Sequence, residues 1–112
     1  MPLGELQRRF PGLWARNQAQ DDDEFAWPGG ETYRQFRARV LAGLTTIAAA
    51  HPGERVALVT HAGVISQVLG TICDRPAAIW AVDRPDPFTA TEVTWENGAP
   101  AAVLTYNDRD WY

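Results

Sequence analysis

Lysine is absent, and all ten basic residues are arginine against fourteen acidic ones, for a formal net charge of −4. The missing lysine reads as a coding bias rather than a device. With no basic stripe in an acidic chain, binding to nucleic acid is excluded as a working function. Cys73 is the one cysteine. An intrachain disulfide is therefore impossible, a reducing compartment suits the chain, and the thiol is expected to be buried and inert. No apolar run approaches the roughly 18 residues of a membrane span, and the N-terminus lacks the charged-then-apolar layout of a signal peptide. The expectation is a soluble, cytoplasmic protein with no membrane partner. Histidine is scarce too, at two residues.

Hydrophobic residues are plentiful, at 46%, with five Trp, three Tyr and four Phe. That composition supports a folded core rather than disorder, and 112 residues fit one domain, residues 1–112. Pro2 to Arg9 reads as a short helix broken by Pro11-Gly12, and Leu13 to Gln20 as one or two further turns. The run Asp21-Asp22-Asp23-Glu24 reads as a solvated loop, because adjacent acids do not by themselves converge on a metal. After the turn at Trp27-Pro28-Gly29-Gly30, the residues Tyr33, Phe36, Val40, Leu41, Leu44, Ile47 and Ala48 recur at three- and four-residue steps. This spacing predicts an amphipathic helix, with Glu31 in its first turn and His51-Pro52-Gly53 as its stop.

Arg55 to Thr60 is a short apolar run without alternation, which predicts a strand buried on both faces under helices. Ala62 to Cys73 then reads as a helix with Ile65, Val68, Leu69 and Ile72 inward. The order helix, strand, helix argues an α/β chain. Asp74 to Thr89, with three prolines, is expected to wander over the surface with a helical turn near Ala77 to Val82. Thr91 to Glu96 and Ala101 to Tyr106 flank Asn97-Gly98, the strongest short hairpin signal available.

The chemically informative stretch is Leu58-Val59-Thr60-His61-Ala62-Gly63-Val64. His61 falls where a strand is expected to end and a helix to begin. Ligands bind at the carboxyl ends of strands in open α/β sheets, and the free N–H groups of a helix's first turn attract anions, phosphate above all. Ala62 and Gly63 are small enough to let a ligand reach that backbone. A histidine there can donate to a phosphoryl oxygen, carry a proton or ligate a metal. No second His, Cys or acid stands at ligand spacing from it, so neither metal nor cofactor is implied.

Taken in order, Trp27-Pro28-Gly29-Gly30-Glu31-Thr32, Arg39-Val40 and Val56-Ala57-Leu58-Val59-Thr60-His61-Ala62-Gly63-Val64-Ile65 resemble the second half of the histidine phosphatase (phosphoglycerate-mutase-like) superfamily. The likeness runs from about Leu6 to Asp108 and takes in the closing strands and Asn107-Asp108. It implies an incomplete three-layer α/β/α sandwich with a C-terminal β-hairpin. It also implies a phosphate-bearing small molecule or anion as ligand, held by His61, Ala62 and Gly63, with Glu31 and Arg39 as structural or rim residues.

The departures from the family pattern bear on activity. The family's nucleophile is a histidine in an Arg-His-Gly motif on its first strand, and this sequence has no Arg-His pair. His51, before Pro52, is expected to cap a helix. Asp86-Pro87-Phe88 replaces the more usual Asn-Ala-Ser-like entry to the next strand. Covalent catalysis needs the attacking atom itself, so three readings stand. One is a hydrolase-type domain for small phosphomonoesters, inactive without an N-terminal half. Another is a non-catalytic pseudoenzyme or binding module. The last is a repurposed enzyme using His61 as general acid or base on a non-phosphorylated substrate. The sheet edges left without the first strand predict association, as a homo-oligomer or with a complementing chain.

Overall fold

A computed structural model describes residues 2–111. The elements are helices α1 (Leu3–Arg9), α2 (Pro11–Ala19), α3 (Tyr33–Ala50) and α4 (Ala62–Ile72), then strands β1 (Ala90–Glu96) and β2 (Ala99–Asp108). This is a mixed α/β chain whose described residues contain one sheet, two strands wide and antiparallel. Trp95 faces Pro100 and Val93 faces Val103 across it, with register shifts that break the ladder between Ala90 and Val93 and again between Thr94 and Trp95. Asn97 and Gly98 both take positive φ, at 52° and 78°, as a two-residue turn matched to strand twist requires.

Local sequence explains where α3 starts and stops. Thr32 Oγ1 accepts from the Gln35 N–H at 3.1 Å, and Gln35 Oε1 accepts from the Thr32 N–H at 2.9 Å. This is a reciprocal capping box. Glu31 therefore lies one residue outside the N-cap, not in the first turn as expected. At the other end His51 is the C-cap residue, its Nδ1 lies 3.0 Å from Glu54 Oε2, and Gly53 turns the chain away at φ 72°.

The core is small. Phe25, Val40, Val68, Leu69, Ala77 and Ala78 are its buried apolar residues, and α4 packs against both α3 and β2. A buried polar cluster joins these parts. Gln67, 1% exposed, accepts from Arg37 Nε at 2.8 Å and donates Nε2 to the Ala77 carbonyl at 3.0 Å. Arg37 also donates to the Arg75 carbonyl at 2.6 Å, and Ser66 Oγ donates to the Trp80 carbonyl at 3.1 Å. Burial pushes the Arg37 guanidinium below the usual arginine range.

Several expectations are corrected here. The 74–89 segment does not simply wander over the surface: Ala77 and Ala78 are among the most buried residues, and Ala77 to Val82 forms turns rather than helix. The acidic run is not merely solvated, since Asp23 Oδ1 accepts the Ala78 N–H at 2.9 Å and Asp22 pairs with Arg16. Cys73 is exposed, because it follows the last turn of α4 as the chain leaves toward Asp74.

The largest difference concerns Arg55 to Thr60. This segment belongs to no strand, and all its residues are exposed. Val59 stands fully open, with Leu58 and Val56 about half so. The physical reason is a missing neighbour: an extended segment becomes a strand only when another supplies its N–H and C=O partners. β1 and β2 do not close onto it among the described residues, and its link to β1 is a side-chain pair, Arg55 with Glu92 at 3.2 Å.

The overall dimensions show the same openness. The radius of gyration is 15.4 Å, where a compact chain of this length has about 13 Å. The accessible surface is 7594 Å², against roughly 6,100 Å² for a folded monomer of this mass.

Candidate functional site

The chain changes from extended to helical at His61, which has φ −104° and ψ 155° and is the N-cap of α4. Its imidazole makes no capping hydrogen bond, and the residue is exposed. The ring is thus free for a ligand at the amino end of an eleven-residue helix. The first N–H groups of a helix have no intrahelical partner, and the dipole there favours negative charge. The helical bonds begin at the Val64 and Ile65 amides, both to the His61 carbonyl. A Cβ placed on Gly63 would meet nothing within 4 Å, and the residue is exposed in the first turn of α4.

His61 lines a cleft of about 450 Å³, with Thr60, Ala62 and Ile65 on one wall and residues 84–89 on the other. The second wall is braced from the end of the chain. Asn107 Oδ1 accepts the Asp86 N–H at 2.9 Å. The Asp86 carboxylate is held by Arg109 at 2.6 Å and by Asn107 Nδ2 at 3.2 Å. Those donors, Arg109 foremost, hold the Asp86 carboxyl below the usual carboxylate range. Trp111 Nε1 donates to the Phe88 carbonyl at 3.0 Å. A second cavity, about 310 Å³ between α3 and the Asn97-Gly98 turn, has no ionisable side chain in its wall.

Of the residues singled out from sequence, His61 and Ala62 line the cleft, and Gly63 follows them in the first turn of α4. Glu31 and Arg39 are not in the lining. They bond to each other, Arg39 Nη2 to Glu31 Oε1 at 2.6 Å, and the guanidinium holds the Glu31 carboxyl below its ordinary range. His51 is engaged with Glu54 at the end of α3 and does not face the cleft. Sequence reasoning missed Arg84, a cleft residue in a segment taken for surface loop. Its place after the 77–78 core contact is visible only once the chain is folded. Among the described residues no group of three or more metal-ligating side chains gathers, and no helix is long and apolar enough to cross a membrane.

The site is an exposed histidine at the turn that opens α4, in the lining of an open cleft of an α/β chain. A family model of the histidine phosphatase superfamily (branch 1) matches residues 1–108, and the chain belongs to that superfamily. No curated protein and no solved structure matches it significantly.

Proposed function

We propose that these residues form the phosphate-holding part of one histidine-phosphatase-type domain, related to hydrolases of small phosphomonoesters. In this reading the phosphoryl group sits against His61, the Ala62 amide and Gly63, and Glu31 and Arg39, paired with each other outside the cleft lining, are structural. The observation that carries it is His61 as an exposed N-cap with no capping bond, on the wall of the cleft at the opening of α4.

Binding is the function proposed for this chain alone. The two-step phosphohistidine route needs a second histidine beside the first, and His51 stands at the far end of α3. Titration of inorganic phosphate, followed by calorimetry, tests the reading. His61→Ala is expected to weaken binding by about tenfold, the worth of one charge-assisted contact. Unchanged affinity in that variant, or no binding by the wild type, refutes the phosphate site. Hydrolysis of a generic aryl phosphate that disappears in His61→Ala would refute the non-catalytic part.

Association belongs to the same reading. The open segment 55–60, with exposed Leu58 and Val59, and the exposed Leu104 and Tyr106 of β2 leave apolar surface and unpaired backbone facing solvent. The surface in excess of a compact monomer, about 1,500 Å² per chain, is more than the roughly 800 Å² that each partner buries in a standard interface. A strand supplied by another segment would extend the two-stranded sheet toward a three-layer sandwich. Light scattering after size exclusion is expected to show a dimer or larger, and a clean monomer at all concentrations contradicts it.

A further inference from the structure

The wall of the cleft opposite His61 carries Arg84, and among the described residues its neighbouring acids are taken by other arginines. Asp83, next to it, is committed to Arg75, where the side chains are only 17% and 32% exposed. Asp86, two residues on, is committed to Arg109 at 2.6 Å. Each of those acids is neutralised by another arginine. The contact recorded for the Arg84 guanidinium is the face of the Trp80 ring, 5.9 Å to its centroid, and stacking of that kind orients a guanidinium plane while leaving its N–H edge free to donate. The cleft lining therefore includes an arginine that pairs with no carboxylate among the described residues, in the same lining as His61 and Ala62. In a chain of net charge −4, such a cation has a use when it meets an incoming anion.

We propose that Arg84 is the second cationic arm of this cleft, clamping a phosphate dianion between its guanidinium and the His61 end of α4. The proposal rests on the phosphate-binding reading above and adds a residue from the opposite wall. Guanidinium suits the task because it presents paired N–H donors to two phosphoryl oxygens at once.

Inorganic phosphate is titrated into the full chain and into Arg84→Ala, Arg84→Gln, Arg84→Lys and His61→Ala, with circular dichroism confirming that each variant folds. Arg84→Ala and Arg84→Gln are expected to raise the dissociation constant by about five- to tenfold, with Arg84→Lys losing clearly less because it keeps the charge. If His61→Ala weakens binding while the Arg84 variants match the wild type, the clamp is overturned and the His61 site survives. If Lys and Gln weaken binding equally, charge is not the cause and the proposal also fails. If the wild type takes up no phosphate, both the clamp and the site are refuted.

Discussion

Phe25→Ala is expected to lower the stability of this chain by about 3–4 kcal/mol, the usual effect of emptying a buried aromatic site. Phe25 is 2% exposed and stands at the centre of an aromatic group: edge-on to Trp27 at 5.5 Å, stacked with Tyr33 at 6.2 Å, and under the Arg16 guanidinium at 5.3 Å. Domains of this length are stable by roughly 6–17 kcal/mol, and a core this small places the protein toward the low end. Urea unfolding should therefore shift its midpoint down by more than about 1 M. A shift under a quarter of that would mean the Phe25 group is peripheral to the cooperative unit.

The second large effect is expected at Gln67. Gln67→Leu keeps the volume but removes an acceptor from Arg37 and a donor from the Ala77 carbonyl, leaving polar groups buried with fewer partners. That costs about 2–4 kcal/mol. Gln67→Glu restores an acceptor for Arg37 while still failing the Ala77 carbonyl. It should be less destabilised than the leucine variant if the Arg37 contact carries most of the effect. Equal losses would assign the effect to the Ala77 side. Thermal and urea unfolding of the three proteins decide between these results.

The helices were legible from sequence because their signals are local. The three- and four-residue steps from Tyr33 to Ala48 and the His51-Pro52-Gly53 stop each act within a few residues. The turn at Asn97-Gly98 was legible for the same reason. Residues 55–60 were misread because a strand is not a local object: Val56, Leu58 and Val59 have the composition of one, but the partner that would make them one is absent among the described residues. The 77–78 segment was misread because its burial depends on Asp23, fifty-five residues earlier, and on Gln67. For the candidate site, His61 was found because strand-end and helix-start signals coincide there. Arg84 was not, because nothing near it in sequence shows that Asp83 and Asp86 are already taken by Arg75 and Arg109.

The wall of the cleft opposite His61 is fastened by Asn107, Arg109 and Trp111, so its geometry is set by residues 21 to 23 positions further along the chain. During synthesis the imidazole and the opening of α4 emerge well before the stretch that fixes the facing loop. The facing side of the cleft is thus set only when residues 107–111 fold back on Asp86 and Phe88.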